Sequence, residues 1–290
     1  MSDSFVSGPC RLDAPLYRQR RRPQLPTGLH GIRLFSTADG CGSEVSAALS
    51  APIRAILLDV EGTTTPIDFV YQVLFPYARS HAQVFLGRHV GAPDVQQDLE
   101  ALRQENLDDA RRGLDPPAFP NDRATQSVVA YLEWLIERDR KSTPLKSLQG
   151  KIWEEGYRGG ELRSRVFADV PPALKRWHEH RRNVSIFSSG SILAQKLLFG
   201  HTEAGDLTRY LSSYFDTTVG SKTDPDSYQK IAAVLGSSTP ETIFISDVIS
   251  ELDAAKAAGL QTLLCLRPGN RPQPANAYPS IRSFAEVSAA

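Results

Sequence analysis

Short apolar runs alternate with amphipathic segments through the second half of the chain. The apolar runs are typical of buried strands, and they cover 55–58, 184–187, 214–219, 242–246 and 262–266. Helical patterns lie between them at 171–180, 192–199, 225–235 and 250–258. Asp224 and Pro225 suit the start of the third of these helices, and Gly259 suits the end of the fourth. The alternation predicts an α/β fold, a Rossmann-like parallel sheet with helices on both faces.

Residues 67–165 differ, because their pattern is almost wholly helical. Apolar residues recur at helical spacing in 67–86, 95–102 and 128–136, and Pro76 predicts a kink or break in the first of these segments. We therefore expect a catalytic core of residues 53–66 and 166–285, with 67–165 inserted as a helical cap domain. A cap over a site and an additional packing layer remain equally weighted interpretations of this insertion.

The N-terminal 52 residues form a third region, with clustered arginines, several Pro, Gly and Ser, and no sustained periodicity. This composition predicts a mostly disordered extension. A plain tail or a mis-assigned start site is favoured over an organelle transit peptide, because Asp3 and Asp13 are unusual in such peptides.

Composition narrows the class of protein. Of 290 residues, 41% are apolar and 23% are charged, and 33 basic residues balance 33 acidic ones. The zero net charge gives no basic surface for nucleic acid, and no apolar stretch approaches the ~20 residues of a membrane span. Cys10, Cys41 and Cys265 are too few and scattered for a disulfide framework or zinc cluster. We expect a cytoplasmic protein that binds neither nucleic acid nor membrane.

Two carboxylates follow the first predicted core strand. Asp59 and Glu61 stand one residue apart, and Gly62 and three threonines come next. The carboxyl ends of parallel strands are where such sheets bind ligands, and the glycine permits a sharp turn. Paired carboxylates there can hold Mg²⁺, or one can attack phosphorus while the other moves a proton. Taken alone, the pair could also be ordinary turn acids.

Polar residues end three further strands. Ser188 and Ser189 precede a helix, Lys222 follows the strand predicted at 214–219, and Asp247 precedes Glu251 by one helical turn. A helix N-terminus offers unpaired N–H groups to an anion, and a lysine balances the charge of carboxylates and phosphate. Nucleophile, cation ligands, donors and a fixed positive charge are together what phosphoryl transfer requires.

This order of motifs resembles the haloacid dehalogenase-like phosphohydrolase superfamily. The nucleophile motif of that superfamily is usually Asp-x-Asp-Gly-Thr, whereas residues 59–63 read Asp-Val-Glu-Gly-Thr. With glutamate at its third position, the motif resembles that of one branch, the enolase-phosphatases (acireductone synthases) of methionine salvage. The same branch is indicated by Val-Leu-Phe-Pro-Tyr-Ala, Leu-Gln-Gly-Lys-Ile-Trp-Glu-Glu-Gly-Tyr, Phe-Ser-Ser-Gly-Ser and Gln-Lys-Leu-Leu-Phe-Gly-His. The resemblance covers about residues 53–285.

The resemblance implies that 2,3-diketo-5-methylthiopentyl 1-phosphate is enolised and then dephosphorylated to the acireductone, with one Mg²⁺ per subunit, and we expect a monomer. The implied metal positions are Asp59, Glu61 and Asp247. The implied substrate positions are Ser188, Ser189 and Lys222. In the hydrolytic half, Asp59 is expected to attack phosphorus and Glu61 to transfer the proton, although the longer Glu61 side chain could instead reach the metal. Candidates for the base of enolisation in the helical segment are His81, Glu154, Tyr157 and Glu161.

Other functions stay open at this point. The core motifs also fit a phosphatase for another small phosphomonoester. A dehalogenase is disfavoured, since its chemistry needs neither a metal nor a second acid at Glu61. A phospho-accepting signalling module would use a similar sheet, but without so large a helical insertion. A catalytically inactive binding protein is disfavoured because every expected polar position is filled.

Overall fold

The computed structural model describes residues 32–34, 52–119, 125–138, 140–274 and 276–289. Most of the N-terminal segment for which disorder is predicted therefore lies outside the described residues. The strands of the described residues are β1 (Ile32–Leu34), β2 (Ala55–Leu58), β3 (Asn183–Phe187), β4 (Ser213–Phe215), β5 (Thr242–Ser246), β6 (Gln261–Cys265), β7 (Ser280–Ile281) and β8 (Val287–Ala289). The helices are α1 (Ile67–Phe69), α2 (Phe75–His89), α3 (Pro93–Arg111), α4 (Thr125–Glu137), α5 (Thr143–Arg158), α6 (Val170–Glu179), α7 (Ile192–Gly200), α8 (Pro225–Leu235) and α9 (Ile249–Ala257).

Six strands form one parallel sheet in the order β4-β3-β2-β5-β6-β7. β2 lies near its middle, between β3 and β5, and all four of its side chains are buried. Ile56 and Leu58 pack in one hydrophobic cluster with Trp177 of α6, whereas Leu57 packs in another with Tyr228 of α8. Helices therefore cover both faces of the sheet, and the predicted fold class is confirmed.

Two details of the sheet differ from the predicted pattern. The strand expected at 214–219 ends at Phe215, because the Asp216 carboxylate accepts hydrogen bonds from the Thr218 amide (3.0 Å) and hydroxyl (2.6 Å) and closes a turn. β7 has only two residues and shows no apolar run that a sequence pattern could detect. Outside this sheet, β1 pairs antiparallel with β8.

The helical segment contains its own hydrophobic cluster. Phe69, Leu99, Tyr131 and Ile152 belong to this cluster, which is distinct from the two clusters on the faces of the sheet. No break occurs at Pro76. A π-helical turn at Val70–Leu74 instead joins α1 to α2, and Pro76 occupies the first turn of α2, where its missing N–H is tolerated. Among the described residues, no helix combines the length and apolarity needed to span a membrane.

Candidate active site

Asp59 lies at the carboxyl end of β2, where the central strand leaves the sheet. Its amide donates to the Ile245 carbonyl (3.0 Å), so the residue is held as a continuation of the strand. The side chain is buried. One oxygen, Oδ1, accepts a hydrogen bond from Lys222 Nζ (2.5 Å), and the other lies 3.4 Å from the Ser246 hydroxyl. Lys222, from the loop after β4, and Ser246, at the end of β5, therefore fix the orientation of the Asp59 carboxylate.

The chain turns back immediately after Asp59. The amides of Thr63, Thr64 and Thr65 all point to the Val60 carbonyl, and the Gly62 amide donates to Thr65 (2.8 Å). Gly62 has a φ of 76°, and a Cβ at this position would lie 2.5 Å from Oδ2 of Asp247. Only glycine meets both requirements, and its use lets the turn approach the end of β5.

Ser188 and Ser189 lie at the end of β3, just before α7 begins. The Ser188 amide donates to the Phe215 carbonyl (3.1 Å), and its hydroxyl accepts from the Gly190 amide (3.1 Å). Ser191 caps α7 by accepting from the Ala194 amide (3.2 Å). Gln195, to which the sequence assigned no role, donates to the Gly190 and Phe215 carbonyls at 2.9 Å each. These contacts leave the serine hydroxyls and the first amides of α7 together at the carboxyl ends of the parallel strands.

Lys222 is a buried cation that joins two acidic residues. Its ammonium group lies 2.5 Å from Asp59 Oδ1 and 2.6 Å from Glu251 Oε2. Burial lowers the pKa of Lys222, but attraction to Asp59 and Glu251 outweighs this effect and raises the pKa above its usual value. Tyr228 fixes the backbone beneath by donating to the Lys222 carbonyl (2.7 Å). The lysine is therefore charged at all physiological pH values.

The structure gives Glu251 a role that the sequence did not assign. Its carboxylate pairs with Lys222 and lies 3.0 Å from the Ser246 hydroxyl, so it holds the lysine against Asp59. The signal was present in the sequence, since Glu251 follows Asp247 by one helical turn at the start of α9.

Asp247 directly follows β5, and its buried Oδ1 has no hydrogen-bond partner among the described residues. Burial, together with the negative charges of Asp59 and Glu251, raises the pKa of Asp247. Asp59, Asp247 and Glu251 carry three negative charges when ionised. Lys222 supplies one positive charge, so two negative charges remain. An unpaired buried oxygen and this charge excess both suit a divalent cation.

Glu61 follows Asp59 by two residues, in the turn after β2. In the described part of the chain, no group of three or more His, Cys, Asp or Glu side chains is arranged to hold a metal ion. Asp59, Glu61 and Asp247 are therefore not gathered as three side-chain ligands. The half-buried Glu61 instead lines a cavity together with Ser188 and Ser189. Its position favours contact with a molecule in that cavity.

This cavity is open to solvent. Its walls come from the sheet edge, from α7 and from the helical segment. The apolar part of the lining includes Val60, Val70, Leu74, Phe75, Ile136, Leu145 and Trp153. The cationic part of the lining is Arg140, Lys141 and Lys146. One space therefore combines polar groups at the strand ends with an apolar wall and three cations.

The structure does not bring the four candidate bases to this cavity, since none of them lines it. Tyr157 is buried and shares a 2.7 Å hydrogen bond with the Ser164 hydroxyl. His81 lies 3.5 Å from Glu161, and Glu154 pairs with Arg158 (2.6 Å). A helical pattern shows which face is buried but not which cavity that face borders, so the sequence could not show which of these residues reach this cavity.

Comparison with known proteins agrees with this geometry. The sequence profile of the haloacid dehalogenase-like hydrolases matches residues 53–259. The chain is 51% identical over 239 residues to Enolase-phosphatase E1 of Synechococcus elongatus, a match that covers 82% of this chain and 99% of that protein. It is 45% identical to Enolase-phosphatase E1 of Pseudomonas syringae pv. tomato, covering 75% of this chain and 91% of that protein.

Two further comparisons extend the picture. A grapevine (Vitis vinifera) protein, named probable bifunctional methylthioribulose-1-phosphate dehydratase/enolase-phosphatase E1 1, is 46% identical, and the match covers 81% of this chain and 47% of that protein. The crystal structure of the UTR4 protein of Saccharomyces cerevisiae superposes with a TM-score of 0.65 at 33% identity, covering 80% of this chain and 98% of that one.

Proposed function

Since the chain belongs to the haloacid dehalogenase-like hydrolases and, among them, to the enolase-phosphatases, we propose that its substrate is 2,3-diketo-5-methylthiopentyl 1-phosphate. The products are the acireductone 1,2-dihydroxy-3-keto-5-methylthiopentene and phosphate. The observation that carries this proposal is the cavity, which joins Glu61 and the serines at one end to an apolar wall. A phosphate ester with a methylthio tail needs both kinds of surface.

The hydrolytic half uses Asp59 as the nucleophile. A carboxylate oxygen of Asp59 forms a bond to phosphorus, and the bond from phosphorus to the enol oxygen breaks. Glu61 gives its proton to the departing oxygen. It then takes a proton from the water that attacks the aspartyl-phosphate, which releases phosphate and restores Asp59. Lys222 holds the Asp59 carboxylate in place by their 2.5 Å contact.

Ser188, Ser189 and the first amides of α7 bind the phosphoryl oxygens in this proposal. Donors preset at a helix N-terminus stabilise negative charge without reorganising during the reaction. The contacts of Gln195 to two carbonyls keep this loop in the required shape. Ser188 and Ser189 therefore position the phosphoryl group in front of the nucleophile.

A divalent cation fits beside these residues, and Mg²⁺ is the ion we propose. Asp59 and Asp247 would hold it with their carboxylates, and Glu61, whose side chain moves the proton, would add its backbone carbonyl oxygen at the same turn. When bound, Mg²⁺ supplies positive charge that neutralises phosphoryl and enolate oxygens. The excess of two negative charges around Lys222 and the unpaired Asp247 oxygen support this choice.

The enolising half needs a base near the carbon that bears the phosphate. Apart from Glu61, titratable side chains of the cavity lining are Tyr71, Lys141 and Lys146, which come from the helical segment and its loops. Each belongs to the part of the chain that we propose to be a cap, residues 67–165. We propose that the base is among these side chains, because they share the cavity with Glu61 and the serines.

The apolar wall of the cavity predicts that the enzyme is specific for substrates with the methylthio tail. Phe75 is half-buried, lines the cavity and stacks on Trp153 with a centroid distance of 6.4 Å. Phe75→Ala is expected to lower kcat/KM for the methylthio substrate by about 10-fold, because a contact with the tail is lost. Hydrolysis of a short phosphate ester that lacks the tail should change little.

Steady-state kinetics with both esters provide the check. Val84→Ala is the matched control, since Val84 lies on the same helix but is 50% exposed and does not line the cavity. Equal losses with the two esters in Phe75→Ala would contradict the assignment of this wall to the tail.

A further inference from the structure

Side chains of the polar turn after β6, residues 267–270, donate hydrogen bonds to the turn that follows the nucleophile. Arg267 Nε donates to the Thr63 carbonyl (3.1 Å), and Asn270 Nδ2 donates to the Gly62 carbonyl (2.9 Å). The same Asn270 nitrogen lies 3.5 Å from the Cys265 carbonyl. Two consecutive carbonyls of the nucleophile turn are therefore held by side chains from another strand end.

These contacts settle which way the Asn270 amide points. Two carbonyl oxygens face its nitrogen, so the NH₂ group must be directed to them and the oxygen must face the other side. That oxygen, Oδ1, is buried and has no hydrogen-bond partner among the described residues. A Cβ placed on Gly62 would lie 3.0 Å from it and 2.5 Å from Asp247 Oδ2. Both oxygens thus border the same small space beside Gly62.

An amide oxygen and a carboxylate that share a buried space need a positive group or a hydrogen-bond donor between them. A buried acceptor left without a hydrogen-bond donor destabilises the folded protein. The second carboxylate oxygen of Asp247, Oδ1, likewise has no hydrogen-bond partner among the described residues, so two neighbouring groups each have a buried acceptor without a donor. A hydrated divalent cation satisfies both groups, because it is surrounded by water protons and prefers oxygen ligands.

We propose that Asn270 is a positioning residue of the divalent-cation site. Its NH₂ group fixes the Gly62 peptide, and its oxygen joins Asp247 in facing the hydrated cation. This inference deepens the proposed function and rests on it, in that it assumes a cation at this sheet edge. It assigns Asn270 no contact with the substrate.

The test measures cation affinity directly in the full-length protein without substrate. Mn²⁺ serves as the probe, because it accepts the same oxygen ligands as Mg²⁺ and the free ion is counted by electron paramagnetic resonance. Asn270→Ala is expected to bind Mn²⁺ about 10-fold more weakly than the wild type. Asn270→Asp, which keeps an oxygen at this position, should bind at least as tightly as the wild type.

Asn276→Ala is the matched control, since Asn276 is exposed in the same segment and its side chain donates to the Pro274 carbonyl and accepts from the Tyr278 amide. Its Mn²⁺ affinity should equal that of the wild type. Thermal unfolding identifies any variant that fails to fold, and Asn270→Ser then replaces Asn270→Ala with the same expected loss. Wild-type affinity in Asn270→Ala, or equal losses in Asn270→Ala and Asn270→Asp, would overturn the inference.

The role of Asn270 and the proposed substrate can fail independently of each other. A wild-type protein that binds Mn²⁺ but leaves the diketo phosphate unchanged would remove the proposed substrate and leave the role of Asn270 standing. Normal turnover of that substrate, with unaltered Mn²⁺ affinity in Asn270→Ala, would remove the role of Asn270 and leave the proposed substrate standing.

Discussion

Asp59→Asn is expected to lower the rate of phosphate release by at least ~10⁴-fold, the scale of loss when a covalent nucleophile is removed. A carboxamide has no negative oxygen with which to attack phosphorus, so no aspartyl-phosphate forms. The fold should persist, because asparagine has the same shape and Lys222 keeps its 2.6 Å contact with Glu251. Phosphate release and the thermal unfolding temperature are the two measurements.

Asp226→Asn makes the same chemical change at an exposed position in the first turn of α8. It should release phosphate at the wild-type rate. Turnover in Asp59→Asn within a few fold of the wild type would show that another group attacks phosphorus, and the assignment of Asp59 would then fail.

Lys222→Met is expected to impair both stability and activity. Removing the ammonium group leaves the carboxylates of Asp59 and Glu251 without their shared counter-ion at 2.5 and 2.6 Å. Removing one partner of a buried ion pair typically costs about 3–5 kcal/mol of unfolding free energy. Phosphate release should fall as well, since Asp59 loses the contact that orients it. Denaturant unfolding at pH 8 in EDTA measures the first effect.

Lys230→Met is the matched control, because Lys230 is exposed on α8 and its ammonium group donates to the Val219 carbonyl at 3.5 Å. The double variant Lys222→Met/Glu251→Gln removes one of the two carboxylate charges that have lost their counter-ion. It should recover part of the stability and none of the activity. Unfolding free energies of Lys222→Met and Lys230→Met that agree within 1 kcal/mol would contradict this account of the pair.

The stability loss in Lys222→Met also has a predicted pH dependence. Burial and the neighbouring Asp59 raise the pKa of Glu251 above the usual carboxyl value even when Lys222 is present. Loss of the lysine raises it further. A carboxyl group with a raised pKa binds protons more tightly when folded, so the penalty is full at high pH. It shrinks as the pH falls through the raised pKa towards about 4.5, and the deficit should therefore be smaller at pH 5.5 than at pH 8.

The sequence was sufficient to place the principal polar residues at one edge of the sheet. Apolar runs marked the strands, and parallel strands bring their carboxyl ends together. The structure accordingly places Lys222 against Asp59, 163 positions away in the chain. Ser188 and Glu61 likewise line one cavity. The roles proposed for these residues remain predictions until the variants are measured.

Other parts of the site could not be predicted because their signals are not periodic. Asn270 and Arg267 act through side-chain contacts to the carbonyls of Gly62 and Thr63, which no local pattern reveals. The cavity wall forms where residues of α5 and of the loop before it face α7 and the sheet edge. The order of the packed helices decides which side chains meet there, and His81 and Glu161 do not line this cavity.

The most direct test follows the purified protein with the diketo phosphate ester, recording enol absorbance and released phosphate together. The assay is run with Mg²⁺ and then with excess EDTA. The account predicts that both signals rise with Mg²⁺ and that both stop with EDTA. Release of phosphate from generic esters, with this substrate left unchanged, would contradict the proposed enolase-phosphatase reaction.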